Sequence, residues 1–418
     1  MLKGNAVVGQ SGGPTTVINA SLAGVVEAAL RQDSITGIYG MRWGIEGFMQ
    51  DMLVDLRKED TRQISLLKST PSSALGSSRH KLKEPDFPKI LKVLKKNDIR
   101  FFFMIGGNDS MDTINRVETY CRKHGYELCG VGVPKTVDND LFGTDHTPGY
   151  PSAARYVALS VQQGGRLARD MQKVDQYSIY QAVGRDSGWL AAAAVAAKRQ
   201  EADPPHILLI PERSFDKKKF LARVEKCYQK YGFCSISCGE GIHYADGTPV
   251  SASQTADKFG NVEFGAMGGT SAAMQLHKMI GDRFKGWRGE FQVVESLQMC
   301  ANDRASALDI EEAYACGKRA VELAGAGKTG LMVSIVRGSD GRGHYRTELG
   351  TVRLADVAVK AKPMPDEYID KSGMWVTEAF VKYLKPLVGP LPEFADLAFQ
   401  PVKKAAATTT TKKKTKKK

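Results

Sequence analysis

The chain has 418 residues, of which 42% are hydrophobic and 25% charged, with 42 glycines and a formal net charge of +13. That length exceeds one ordinary core and points to two domains, while no apolar run reaches the roughly 18–20 residues that a helical membrane span requires. The charge excludes less than it promises: the tail 403–418, KKAAATTTTKKKTKKK, carries eight lysines and no acid, and without it 51 basic residues face 46 acidic ones, a net of +5.

The tail lacks the apolar side chains that would offset its ordering entropy, so it is expected to be disordered. With no basic surface interleaved with aromatics, neither a nucleic-acid partner nor a membrane is expected. Seven cysteines (Cys121, Cys129, Cys227, Cys234, Cys238, Cys300, Cys316) show no CxxC pairing, which suits reduced, buried thiols in a cytoplasm. The start, MLKGNAVVGQSGGP, breaks a short apolar run at once with glycines and is expected to be a first strand rather than a secretion signal.

From there the pattern alternates apolar strands with helical stretches, the mark of a parallel α/β sheet covered on both faces. Strands are predicted near Ala6–Gly9, Ile35–Met41, Phe101–Ile105, Leu128–Val133, Ser178–Ala182, Ile207–Ile210, Cys234–Ser237, Gln292–Glu295 and Leu331–Val336. Helices are predicted at Thr16–Arg31, Phe87–Lys96, Asp109–His124, Ser152–Lys173, Trp189–Gln200, Phe215–Tyr231, Gly269–Phe284 and Asp309–Gly325. A break after Asp140, LFGTDHTPGYPS, has the turn chemistry of a domain crossover. The proline-punctuated end, from KPMPDEYID to PLVGPLPEF, is expected to wrap the body.

In open parallel sheets, ligands bind at the carboxyl ends of the strands, and the chemistry-bearing motifs fall there in succession. QSGGPTTVINA follows the first strand, and its bare amides at Ser11–Gly13 lead toward a helix predicted to begin near Thr15–Thr16, a site for phosphate. GGNDS places Asn108 and Asp109 as hard oxygen ligands suited to magnesium. PKTVDND offers a lysine, a hydroxyl and two carboxylates. In an extended loop Asp138 and Asp140 would face one side, and the repulsion between them would suit one to act as a base. Arg185 in GRDSGW and Arg79 in GSSRHK are cations able to stabilise spreading negative charge, and GEG supplies Glu240. Each motif alone is a tight turn or a surface ion pair. Together they describe phosphoryl transfer to a hydroxyl.

With these motifs in this order, the chain resembles the phosphofructokinase family from about Asn5 to about Gln400, and within it the pyrophosphate-dependent members. Ser11–Gly13 is similar to the family's SGG loop, Gly106–Ser110 to its GGDxS turn, Thr136–Asp140 to its T-[IV]-D-N-D loop, Val183–Arg185 to its MGR turn and Glu240–Gly241 to its EG turn. The resemblance implies two Rossmann-like α/β domains, each a mostly parallel sheet flanked by helices, with the active site in the cleft between them. Residues 1–141 plus 296–328 would hold pyrophosphate and magnesium, and 142–295 plus 329–402 the sugar phosphate. It further implies Asp138 as the base on the sugar's 1-hydroxyl, with Asp109 and Lys135 as its catalytic companions. Gly12, Gly13 and Arg79 would bind the donor, and Asn108 the metal. Thr136, Asp140, Val183, Gly184, Arg185, Glu240, Ser296, Met299 and Arg304 would bind fructose 6-phosphate. A homodimer is the expected assembly.

Donor choice has a physical argument. ATP-using relatives carry glycine where Asp109 and Lys135 stand. A carboxylate at 109 fills and repels the space of a nucleotide α-phosphate, whereas a lysine at 135 can hold the phosphate leaving from pyrophosphate. An ATP-dependent enzyme of the same fold is the rival reading. A lipid or NAD kinase shares a GGD-type turn but lacks the TVDND loop. The chain departs from the family at Asn108, where aspartate is usual, and at Val183, where methionine is. It also departs at Ser296 and Met299, where the sugar-phosphate loop reads H/Y-x-x-R, and at Gln176, where arginine is usual. Arg304 is a candidate for the missing cation. Sedoheptulose 7-phosphate is a candidate for a side activity.

Overall fold

GNAVVGQ, IRFFFMIG and CGVGVP are near-continuous apolar runs of the kind that parallel sheets bury on both faces, and each becomes a central strand. The computed structural model describes residues 2–251 and 269–402; the lysine tail, for which disorder is expected, lies outside them. Among the described residues, eleven strands run in chain order as β1 (Gly4–Gln10), β2 (Ile35–Met41), β3 (Leu53–Asp55), β4 (Ile99–Gly106), β5 (Cys129–Pro134), β6 (Tyr177–Ala182), β7 (Ile207–Leu209), β8 (Cys234–Gly239), β9 (Gly289–Val293), β10 (Leu331–Ser339) and β11 (Tyr345–Arg353). They form a seven-stranded sheet, β11-β10-β5-β4-β1-β2-β3, and a four-stranded sheet, β7-β8-β6-β9. The second sheet is parallel throughout. In the first only the edge pairs β2–β3 and β10–β11 are antiparallel. The α/β class expected from the alternation is therefore the one observed.

Because β5, β4 and β1 are neighbours, the loops that leave their carboxyl ends are neighbours too. The same holds for the loops after β8, β6 and β9. Residues 141–149 carry the chain from the first sheet into the helix Tyr150–Asp170, which packs on the second. The final helix, Glu378–Val388, buries Phe380, Leu384 and Leu387 in one core with Tyr150, Trp189 and Leu190. Beyond it the chain runs along the helix Tyr150–Asp170: Arg155 donates to the carbonyls of Val388 and Pro390, Gln162 to Pro392 and Arg166 to Ala395. The wrapping expected of this segment is present.

Several elements differ from expectation for identifiable reasons. The helix after the SGG loop starts at Ile18, with Thr15 Oγ1 accepting from the Ile18 amide at 3.0 Å, so its positive end lies five residues beyond Gly13 rather than two. The alanine run after Trp189 stays α-helical only to Ala193 and tightens to 3-10 over Ala194–Ala197, because packing of this fully enclosed segment overrides propensity. Residues 331–353, grouped with the second unit in the sequence division, form β10 and β11 and extend the first sheet from β5.

The helices Ile18–Ala29 and Ala307–Gly325 cross at a pair of glycines. A Cβ on Gly24 would sit 2.2 Å from the Tyr314 carbonyl oxygen, and one on Gly317 would sit 2.1 Å from that of Ser21. Both obstacles are backbone and cannot swing aside. Gly317→Ala is therefore expected to lower stability by about 1–3 kcal/mol through overpacking, outweighing the ~1 kcal/mol that alanine gains in a helix. An unchanged thermal midpoint would mean that the crossing is looser than these distances say.

Candidate active site

The donor side is assembled from strand ends that the sheet order brings together. After β1 the Ser11 amide donates to Ile105 of β4 and the Gly12 amide to the Ser78 carbonyl, while Ser77 Oγ donates to the Gly12 carbonyl at 2.6 Å. The loop 77–79 is thereby folded onto the SGG loop, and a Cβ on Gly13 would lie 4.0 Å from Arg79 Nη2. Lys135, buried at the end of β5, donates from Nζ to the Gly13 carbonyl at 2.8 Å. Gly12, Gly13, Arg79 and Lys135 thus form one cationic cluster. Burial lowers the Lys135 pKa to about 8, with Arg79 adding to the drop and Asp138 opposing it.

After β4, Asn108 and Asp109 open the helix Asn108–Lys123, and their surroundings separate them. Asn108 Oδ1 is buried with no hydrogen-bond partner among the described residues. The Asp109 side chain is 75% exposed and pairs with Lys81 at 3.5 Å. Lys81 closes the GSSRHK motif, from which the sequence reading singled out Arg79 alone.

The loop after β5 is not extended. Asn139 takes a left-handed conformation, φ 56°, so the expectation that Asp138 and Asp140 share a side by strand alternation fails at the residue between them. They remain electrostatic neighbours. Burial raises the Asp138 pKa to about 7, reinforced by Asp140 and then Glu240 and opposed by Lys135 and Arg185. Burial also raises that of Asp140, with Lys362 acting against it. Thr136 Oγ1 accepts from the Asp138 amide at 3.1 Å, which gives Thr136 a structural duty in the loop.

Strand ends of the second sheet face this loop. Ser187 Oγ, from the GRDSG turn after β6, donates to the Asp138 carbonyl at 2.9 Å. Gly184, φ 127°, donates its amide to Glu240 Oε1 at 3.2 Å, and Val183 donates to Gln298 Oε1 at 3.2 Å. The turns after β6 and β8 touch so closely at Gly241 that a Cβ there would be 1.7 Å from the Arg185 carbonyl oxygen. Arg185 lowers the Glu240 pKa against the larger rise that burial imposes. β9 ends at Val293, two residues before the expected end at Glu295; Glu295 turns left-handed at φ 36° and opens the short helix Glu295–Cys300 that holds Ser296 and Met299. The Met299 carbonyl accepts from both the amide and the hydroxyl of Thr16, at 2.8 and 3.2 Å, which ties the two sheets together.

Arg304 stands apart from the role expected of it. Its Nη1 donates to Ser160 Oγ at 3.0 Å and its guanidinium lies 4.8 Å from the Tyr156 ring centre, directed at the helix Tyr150–Asp170. Gln176 is likewise occupied, accepting from the Arg288 amide and donating to the Val174 carbonyl.

The phosphofructokinase family matches residues 5–324. A protein of Halomonas elongata named pyrophosphate–fructose 6-phosphate 1-phosphotransferase is 38% identical over 97% of this chain and 98% of its own length. Two crystal structures of pyrophosphate-dependent phosphofructokinases are similar. That from Marinobacter aquaeolei has a TM-score of 0.83 at 37% identity, covering 96% of this chain and 98% of its own. That from Nitrosospira multiformis has a TM-score of 0.84 at 37% identity, covering 95% of each chain.

Proposed function

Because the chain belongs to the phosphofructokinase family, we propose that it transfers a phosphoryl group reversibly from inorganic pyrophosphate to the 1-hydroxyl of D-fructose 6-phosphate, giving fructose 1,6-bisphosphate and phosphate. One observation carries this reading: the Lys135–Arg79–Gly13 cluster adjoins Asp138, a carboxyl that burial tunes to take a proton near neutrality. Pyrophosphate lies on the cations of the first sheet, and the sugar on the turns after β6, β8 and β9. Asp138 accepts the proton of the 1-hydroxyl as that oxygen attacks the nearer phosphorus. Lys135 and Arg79 hold the phosphate that leaves, which is the positioning and charge stabilisation that phosphoryl transfer demands. With inorganic pyrophosphate rather than ATP as donor the two sides differ little in energy, so the reaction is read as running in both directions.

Among the described residues no group of three or more histidines, cysteines or acids is placed to hold a metal. Magnesium needs no such cage when one or two protein oxygens and substrate phosphates complete its shell, and the buried Asn108 Oδ1, unpartnered among the described residues, is a neutral oxygen able to be one of them. Asn108 would hold magnesium and Asp109 would sit beside it; when bound, the ion supplies charge neutralisation on the pyrophosphate oxygens. The enzyme is read as a cytoplasmic homodimer.

A coupled assay offering pyrophosphate or ATP with fructose 6-phosphate and magnesium is expected to show turnover with pyrophosphate alone, and light scattering twice the 45.6 kDa chain mass. Turnover only with ATP, or full activity in a monomer, would overturn the corresponding part.

A further inference from the structure

We propose that Lys362, far from the recognised motifs, is a positioning residue that fastens the loop Asn139–Asp145 and so fixes the carboxylate of Asp138 against the 1-hydroxyl; this rests on the functional reading above. An ammonium has three donors, and all three go to this one loop. Lys362 Nζ donates to the Asp145 carbonyl at 2.7 Å, the Thr144 carbonyl at 3.0 Å and Asn139 Oδ1 at 3.4 Å. Its own amide donates to the Asp140 carbonyl at 2.7 Å, and Ala361 bridges Leu141 beside it. The side chain is closed in from behind by Trp189, whose ring centre lies 5.2 Å from Nζ.

The loop needs such a fastening because of its shape. Asn139, next to the base, sits in a left-handed conformation, which asparagine adopts more readily than most L residues and which its hydrogen bonds hold here. Asn139 Oδ1 accepts from the Thr147 amide at 3.0 Å, and its Nδ2 donates to Tyr383 Oη at 3.0 Å. Tyr383 Oη in turn donates to the Asp145 carbonyl at 3.0 Å. Lys362 and Tyr383 therefore close the loop into a ring whose base is pinned to the C-terminal segment. Arg337, through two 3.0 Å bonds to the Asp145 carboxylate, holds the far corner. Inward of Asn139, the backbone of Asp138 is held, among the described residues, by the Ser187 and Thr136 contacts. An apolar side chain at 362 would leave the Thr144 carbonyl without its donor and the Asp145 carbonyl with that of Tyr383 alone, a cost buried backbone does not tolerate. The ring would relax toward Asp138.

The experiment compares wild type with Lys362→Met, Lys362→Arg and Tyr383→Phe, reading kcat and KM for both substrates, thermal midpoint, and amide hydrogen exchange by segment. Lys362→Met is expected to lose roughly 10²-fold in kcat, the cost of about an ångström of misplacement, with both KM values within about threefold. Exchange should quicken over 136–147 and not through the sheets. Lys362→Arg keeps charge and donors and should recover at least about tenfold of that loss. Should Lys362→Met fail to fold, Tyr383→Phe removes a single hydroxyl from the ring and must show the same confined exchange with lowered kcat. Wild-type kcat in Lys362→Met or in Tyr383→Phe, a loss that appears as KM, or exchange quickened evenly throughout would overturn the proposal. If wild type does not use pyrophosphate and fructose 6-phosphate at all, the functional reading fails by itself, and exchange confined to 136–147 still supports the clamp.

Discussion

Asp138→Asn is expected to lower kcat by ~10²–10⁴-fold, the usual contribution of a positioned base, while fructose 6-phosphate and pyrophosphate bind with nearly unchanged affinity. The amide keeps the size and shape of the carboxylate, and Asp138 is held through its backbone by Thr136 and Ser187, so the loop has no reason to move. What disappears is proton acceptance, needed only as the 1-hydroxyl attacks, and such a loss falls on kcat. The environment adds a pH signature. Burial first, then the charges of Asp140 and Glu240, raise the Asp138 pKa to about 7. A base works when deprotonated, so kcat/KM of the free enzyme should fall as pH drops through about 7. Asp140→Asn removes one of the charges that raise it, so the same limb should move to lower pH. A variant at 138 that keeps a tenth of wild-type kcat, or a limb that ignores residue 140, would deny Asp138 the role.

The parts of this site legible in the sequence are those fixed by local chemistry. β1, β4 and β5 are apolar runs that end in glycine, asparagine or lysine motifs, and the sheet order then guarantees that Gly12, Asn108 and Lys135 meet. β11 was not legible: YRTELGTVR alternates half-buried and exposed positions on an edge, rich in charge, and β3 spans only three residues. The left-handed Asn139 was hidden as well, because TVDND suggests an extended run unless the loop's tertiary bonds are known. Lys362 and Tyr383 reach Asn139 across 223 and 244 residues. In KAKPMP a lysine has the profile of a solvated surface charge, and only the fold turns it inward. Arg304, a cation at a plausible spacing, makes contacts the sequence did not indicate, with Ser160 and Tyr156.

Asp109→Gly is expected to make ATP a measurable donor and to shift the ATP-to-pyrophosphate ratio of kcat/KM by roughly tenfold or more, the effect of removing one like charge near a phosphate at a solvated site. The Asp109 carboxylate stands exposed on the first turn of the helix Asn108–Lys123, paired with Lys81 at 3.5 Å. Its removal opens that volume, ends the repulsion of an α-phosphate, and releases Lys81 beside the positive end of a 16-residue helix, where phosphate is favoured. Pyrophosphate turnover should fall with the same change, since a carboxylate beside Asn108 helps to place magnesium. Lys135→Gly should act otherwise. It removes the cation buried against the Gly13 carbonyl and so should cost pyrophosphate turnover about 10²-fold, in line with the loss of one preorganised charge-stabilising donor. It opens no room on the exposed side where a nucleotide would lie, and ATP use should not appear. In the double variant the two effects should not add, because both residues act on one donor, and the ratio should favour ATP more than in either single variant. kcat/KM for both donors across these four proteins decides between the mechanisms. A wild type that already uses ATP, or an Asp109→Gly ratio equal to that of wild type, would place donor selection elsewhere in the cleft.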